Sequence, residues 1–472
     1  MTSTDRGAWL AIAALVVSPV VAAICLTLWN TPVPISEAVA LLEDVSRKPR
    51  LDFLVPDTSY YRPIFHIVLS TIWNADLSLD ARLAAIRLLQ IVPVVALVGL
   101  FLLHLRPRSL LEAGAAAAAM AVLIGSPGFR DNLEIPLSYT IVGMPLALAV
   151  WHLLVAPPRW WHTPAVLAML VIALGFKEQG LAIVALVVAA WATRAQGTTR
   201  AQAVSAVLLA AGYVAVRLAW HSRMATFEQA IGFGFSELDP PTATARFGSF
   251  PAAIYAYTAL ATVANVVFSE PTSGIFSIVA AITRGTTERW QFIQLASSVG
   301  LTVLMALWGV AAISRVRHEG WTDESRSVVA LVLTLAACGA LSFNYSRDRL
   351  GGMATPFYAL AAYYALRACA RRAATLQPWR LRAAAAGLLL LAGLWHVRAI
   401  GTAEAVKVTA LRNQIEWLTG LPQRTREFAD RPVYLSILGT LRAQGTAESR
   451  PRPTNYPTAL MGLFSPANVQ SQ

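Results

Sequence analysis

The sequence predicts an all-α polytopic membrane protein of about twelve transmembrane helices with a long first outer loop. Three observations carry that expectation. Of 472 residues, 56% are hydrophobic and 14% charged, against roughly 25% charged in soluble domains; so little charge cannot cover a water-exposed surface. Apolar runs of about 17–22 residues recur from end to end, the length that crosses a bilayer core. Cys25, Cys338 and Cys369 all fall within or at the edge of those runs, which excludes a disulfide scaffold and a thiolate metal site.

The first run, Trp9 to Trp29 behind the basic flank Arg6, exceeds a signal-peptide core of about 7–15 residues and reads as an uncleaved span. Further runs fall near 83–104, 110–125, 137–155, 164–176, 180–193, 202–220, 251–268, 294–313, 327–343, 353–369 and 383–400. A short stretch at 274–283 leaves a thirteenth span open, with 251–292 re-entrant as the other reading. Residues 1–400 form the membrane domain, and 401–472 form a small polar tail on the outer side. An amphipathic helix near Glu404–Leu418 opens that tail, with Ile415, Trp417 and Leu418 among its apolar positions.

Charge gives the orientation. With the amino terminus cytoplasmic and 251–292 returning to its starting side, the short inner loops hold 14 of the 38 Lys and Arg but only 5 of the 26 carboxylates. Arg371, Arg372, Arg380 and Arg382 share one of those loops. This is the positive-inside bias, so the +12 net charge is topogenic and no nucleic-acid partner is implied. Sixteen carboxylates gather on the outer face. They are either ordinary solvation of the longest loops or part of an outward-facing polar site.

Several activities are excluded. No glycine-rich phosphate loop is present for an ATP-driven transporter, and no serine elbow. Only His66 and His221 of seven histidines fall on the outer face, so no histidine metal cluster can be drawn. Inverted-repeat hydropathy, the usual mark of a secondary transporter, is not visible.

Three outer segments carry chemistry. The first loop holds Glu37, Glu43, Asp44, Asp52 and Asp57, then Ser59-Tyr60-Tyr61-Arg62-Pro63-Ile64-Phe65-His66. Pro63 suits the first turn of an apolar helix reaching Trp73. The tyrosines and Arg62 form an aromatic, cationic rim at headgroup depth, whose plainer role is interfacial anchoring. Gly175-Phe176-Lys177-Glu178-Gln179-Gly180 wedges an ion pair between two apolar runs, costly enough to suggest function; a hairpin turn with snorkelling side chains is the alternative. Asn344-Tyr345-Ser346-Arg347-Asp348-Arg349-Leu350 puts two arginines where the topology favours none. Their forks suit phosphate oxygens, with Asp348 orienting one of them, unless the loop merely pairs its own charges. Arg130, Asp131, Asn132 and Glu134, and His221 with Arg223, read as mostly structural.

Taken in order, these motifs resemble the integral-membrane GT-C glycosyltransferases, nearest the protein O-mannosyltransferase-like and tetratricopeptide-bearing transmembrane branch and its bacterial relatives. The likeness covers roughly residues 1–400. It implies a GT-C-like bundle in a bacterial inner (plasma) membrane. It also implies transfer of a sugar from a polyprenyl-phosphate donor to a hydroxyl of an acceptor glycan, lipid or protein on the extracytoplasmic side. The family's base after the first span maps onto Glu37, within Ile35-Ser36-Glu37-Ala38, with Asp57 second. Only one acid stands where the family often has two. Lys177 and Glu178 match a family motif, and Arg349 matches the late-turn arginine, with Leu350 where an aromatic often follows. The resemblance thus implies Lys177, Arg349 and Arg347 on the donor phosphate, and Tyr60, Tyr61, Arg62 and Glu178 around the sugar. It fixes no cofactor, and a divalent cation stays open, though no metal-ligand set is assigned. A lipid-linked sugar transporter or flippase, and a catalytically inactive scaffold of the same fold, remain the alternatives.

Overall fold

Five consecutive alanines, Ala115–Ala119, lie in a helix whose side chains are almost all buried. Small residues let helices approach closely inside a membrane bundle, and this helix, α5 (Leu110–Gly125), is the central packing element. The computed structural model describes residues 3–30, 37–54, 61–134, 140–221, 231–233, 236–238, 245, 252–270, 277–342, 345–373 and 375–419. Before α5 come α1 (Ser3–Asn30), α2 (Glu37–Arg47), α3 (Pro63–Trp73) and α4 (Leu79–Leu105). After it come α6 (Pro127–Glu134), α7 (Gly143–Val155), α8 (His162–Phe176), α9 (Ala182–Ala192), α10 (Arg200–His221) and α11 (Ala252–Phe268). The chain continues through α12 (Ser277–Thr283), α13 (Arg289–Ser314), α14 (Val316–Glu319), α15 (Asp323–Leu341), α16 (Thr355–Ala373) and α17 (Pro378–Thr419). The core runs through α5, which packs on α1, α16 and α17, with α4, α7 and α9 completing it.

Local chemistry fixes the helix starts. Ser78 accepts from the Ala81 N–H at 3.3 Å and Ser109 from the Glu112 N–H at 3.2 Å, each capping a free amide. Thr322 and Ser325 form a capping box at α15, as do Glu288 and Gln291 at α13. Pro63 opens α3 with Arg62 at its N-cap, where the missing proline N–H costs nothing.

The protein is multi-pass and mostly helical. Among the described residues, five helices are long and apolar enough to cross a membrane, or six if α5 and α6, bent by 55°, count as one span. Large apolar side chains such as Leu15, Leu208, Leu307 and Leu389 stay exposed, as lipid-facing residues must. The count of twelve is not reached. α7, α8 and α9 have only 13, 15 and 11 residues, roughly 16–23 Å of helix against a hydrocarbon core of about 30 Å. The stretch expected as a thirteenth span is the seven-residue α12.

The chain is not wholly helical. β1 (Ile231–Phe233) pairs antiparallel with β2 (Ser236–Leu238) and parallel with β3 (Tyr345–Ser346), with Gly232 opposite Tyr345. This patch ties the long segment after α10 to the turn that carries Arg349. At the other extreme, α17 runs unbroken past residue 400 to Thr419, joining the last predicted span to the predicted tail helix. Residues 420–472 lie outside the described residues.

Polar groups collect at two ends of the bundle. At one end Glu112 takes Arg371 and lies 3.8 Å from Arg367, which pairs with Glu324 at 2.9 Å. At the other end the last turns of α11 and the residue after it meet several neighbours. Thr262 contacts Ser346 at 3.2 Å, Asn265 donates to Asp348 at 3.0 Å, and Ser269 meets Ser298 at 2.7 Å.

Candidate functional site

The site is assembled where charged turns meet apolar helices, at the end of α8 and at the starts of α3 and α16. α8 ends because Lys177 turns to extended backbone (φ −163°, ψ 148°), and a 3-10 turn over Glu178–Leu181 leads into α9. α3 packs on α8 with Ile64 against Gly175, where an added Cβ would lie 2.4 Å from Ile64 Cγ1. That close approach sets Arg62, two residues before Ile64, beside Lys177, two residues after Gly175. The third turn, Asp348–Ala354, lies on α6. Here Gly352 leaves room for Asn132, since a Cβ would come within 2.4 Å of its Nδ2.

Hydrogen bonds lock these turns together. The Arg349 N–H donates to Asp131 Oδ2 at 2.8 Å, and its carbonyl accepts from Asn132 Nδ2 at 3.2 Å and Gln179 Nε2 at 3.4 Å. Gln179 is two residues beyond Lys177, so the Lys177 and Arg349 turns are in direct contact. Asp348 is held by Asn265 and lies 3.7 Å from Arg130. With the Arg349 backbone pinned on both sides, its guanidinium is free to serve a ligand. Its Nε is buried and finds no acceptor among the described residues.

The electrostatics are those of a cation cluster around the Glu178 carboxylate. Lys177 is buried and lies 3.5 Å from Glu178, whose other oxygen lies 3.5 Å from Arg217 of α10. Burial and the Arg62 guanidinium pull the Lys177 ammonium down to about 7, with Arg349 adding to the effect and Glu178 opposing it. Burial alone would raise the Glu178 carboxyl, but Lys177, Arg62 and Arg217 outweigh it and hold it below the usual carboxylate range. Among the described residues Glu178 pairs with both Lys177 and Arg217, and the Arg62 and Arg349 charges act on Lys177 as well. Such an arrangement is suited to a multiply charged oxyanion, which arginine forks can grip bidentately.

Tyr61 forms a wall of this region, donating to the Leu54 carbonyl at 3.1 Å with its ring 6.2 Å from that of Tyr213. Arg347 is half-buried just before the Asp348 turn. Glu37 is the first residue of α2, but its side chain lies outside the described residues, as do Asp57 and Tyr60 altogether. His66 packs in the core with its ring 5.2 Å from Phe53. No group of three or more His, Cys, Asp or Glu that could hold a metal ion occurs among the described residues.

Sequence reasoning missed Arg217, and it gave Asp131 and Asn132 no part in the site. Arg217 sits inside an apolar run, and an ionisable residue in such a run is itself a signal. Nothing local marked Asp131 or Asn132, whose importance comes from a turn about 218 residues away in sequence.

No known protein family matches the chain, and no curated protein matches it. Among solved structures, a crystal structure of ArnT from Cupriavidus metallidurans bound to undecaprenyl phosphate aligns over 92% of this chain and 88% of that one. The identity is 13% and the TM-score 0.44, too distant to assign an activity.

Proposed function

We propose that the protein is a GT-C-type membrane glycosyltransferase that takes a sugar from a polyprenyl-phosphate donor and passes it to an acceptor hydroxyl, on the extracytoplasmic side. One observation carries the reading. Arg62, Lys177 and Arg349, from three distant stretches of sequence, gather at one end of a membrane bundle around the Lys177–Glu178 pair. A lipid phosphate with its chain between helices and its headgroup at the bundle's end is the ligand such a cluster suits.

In this mechanism the acceptor oxygen attacks the anomeric carbon as the bond from that carbon to the phosphate oxygen breaks. Glu37, or else Asp57, takes the acceptor proton, a contribution of typically about 10²–10⁴-fold. The leaving phosphate gains charge, and Lys177 and Arg349 stabilise it where that charge develops. Arg62, Tyr60, Tyr61 and Glu178 line the sugar, with Arg347 at the rim of the phosphate site. A single displacement inverts the anomeric configuration. The placing of α2 supports Glu37. Asn74 at the end of α3 donates to the Val45 carbonyl near the end of α2 at 3.0 Å, and the two helices pack together. The helix that begins at Glu37 thus packs on the helix that Arg62 precedes.

The test is transfer by the purified full-length protein, given a polyprenyl-phosphate hexose and a panel of envelope-derived acceptors. Wild type releases free polyprenyl phosphate as acceptor is glycosylated, and Glu37→Gln binds the donor but does not turn it over. Near-normal turnover in that variant removes Glu37 from the mechanism. Donor binding without any product in the wild type points instead to a transporter of lipid-linked sugars.

A further inference from the structure

Arg398 of α17 is a second cation that the site above does not use. It is only 6% exposed, yet every acceptor around it among the described residues is neutral. Nη1 donates to Ser297 Oγ at 2.8 Å and Ser298 Oγ at 2.7 Å, Nη2 donates to Ser269 Oγ at 2.6 Å, and the guanidinium lies 3.7 Å from the centre of the Trp395 ring. Its Nε has no acceptor among the described residues. A buried charge without an opposite charge is costly, and three serine hydroxyls do not supply one.

Arg398 also lines a small cavity of about 20 Å³ together with Arg130, Trp290, Gln294 and Thr402. A cavity needs roughly 10–15 Å³ to hold one water-sized group, so this one admits a single oxygen atom beside two guanidinium groups. Arg130 lies 3.7 Å from Asp348, and its neighbour Asp131 accepts from the Arg349 N–H. The cavity and the Lys177–Arg349 cluster are therefore joined through α6, whose Arg130 lines the one and whose Asp131 holds the other.

We propose that Arg398 and Arg130 form a second oxyanion subsite, which takes one terminal oxygen of a phosphate group on the acceptor. Binding there stands apart from the transferase reading; only its assignment to the acceptor rests on that reading. The subsite would hold a phosphate-bearing acceptor at a fixed offset from the donor phosphate. It would favour anionic acceptors over neutral ones of the same size.

Trp290 lines the cavity and Trp395 stacks on Arg398, so intrinsic fluorescence can follow its occupancy. The full-length Lys177→Gln/Arg349→Gln protein, whose first cluster is disabled, is titrated with inorganic phosphate at constant ionic strength in chloride, with methyl phosphate as a second probe. The expected result is a saturable change with both probes, weakened about tenfold or more once a guanidinium is lost through Arg398→Gln. Arg130→Gln gives the same loss and decides the matter should Arg398→Gln fail to fold. No saturable change, or one that survives both substitutions, overturns the subsite. Binding of inorganic phosphate alone overturns its assignment to a substrate-borne group. Failure of the donor reading would show separately, as absent turnover with this phosphate response intact.

Discussion

The backbone N–H of Arg349 donates to Asp131 Oδ2 at 2.8 Å, holding together two turns that are 218 residues apart. Asp131 thus sets where the Arg349 guanidinium stands without spending that guanidinium on an ion pair. A hydrogen bond to a charged group is worth about 1.5–3 kcal/mol, and about 1.4 kcal/mol is tenfold in affinity. Asp131→Asn, which keeps an acceptor oxygen but loses the charge, is expected to weaken binding of a polyprenyl-phosphate hexose by about tenfold. Asp131→Ala should do worse. Lipid-nanodisc titration measures both, and unaltered affinity in both variants would take Asp131 out of its positioning role.

Lys177 supplies a pH signature. Its ammonium is pulled down to about 7, and only the protonated form attracts phosphate. Affinity for a donor phosphodiester, whose own charge is constant across this range, should be highest below pH 7 and fall as pH rises above it. A bound phosphate stabilises the ammonium and moves the midpoint upward. Stability runs the other way. A lysine lowered from 10.5 penalises folding fully below about 7, and the penalty is relieved as pH climbs toward 10.5. Lys177→Arg, always charged, should flatten the affinity profile between pH 7 and 9. A profile in wild type as flat as in the arginine variant contradicts the lowered Lys177.

The elements visible in the sequence were those that depend on neighbours along the chain. Pro63 announced the start of α3, and Lys177-Glu178 announced a break between apolar helices, because backbone chemistry and desolvation cost are local. Helix lengths were harder. α8 stops at Phe176 and α9 starts at Ala182, and hydropathy alone does not say whether such short pieces cross a bilayer. The β1–β3 pairing joins Gly232 to Tyr345, a distance in sequence that no periodicity reveals. Asp131 was obscured for the same reason, since it acquires its role from a partner in a remote turn, whereas Arg217 carried a local signal as an ionisable residue in an apolar run.

The approach of α3 to α8 depends on Gly175, where a Cβ would sit 2.4 Å from Ile64 Cγ1. Gly175→Ala forces the Ile64 side chain or the helix to move, and overpacking of this kind costs about 1–3 kcal/mol. The melting temperature should fall and donor affinity with it, because Arg62 moves away from Lys177. Ile64→Ala in the same protein removes the outer atoms of the clash and should restore part of both. Strict additivity of the two substitutions in a thermal-shift and binding cycle would show that the contact does not set the site.

Glu112 tests whether the opposite end of the bundle is structural. Its carboxylate is 5% exposed, accepts from the Arg108 N–H at 2.8 Å, and meets Arg371 and Arg367. Arg371 is 59% exposed and Arg367 keeps Glu324 at 2.9 Å, so the loss is that of charge-assisted hydrogen bonds, about 1.5–3 kcal/mol. Glu112→Gln should therefore lower the melting temperature by several degrees. Donor affinity, measured where the variant is still folded, should remain at the wild-type value, because none of the cations around Lys177 contacts this network. A selective loss of donor binding with the melting temperature unchanged would mean that the two ends are coupled through α5, and would move part of the site to this end.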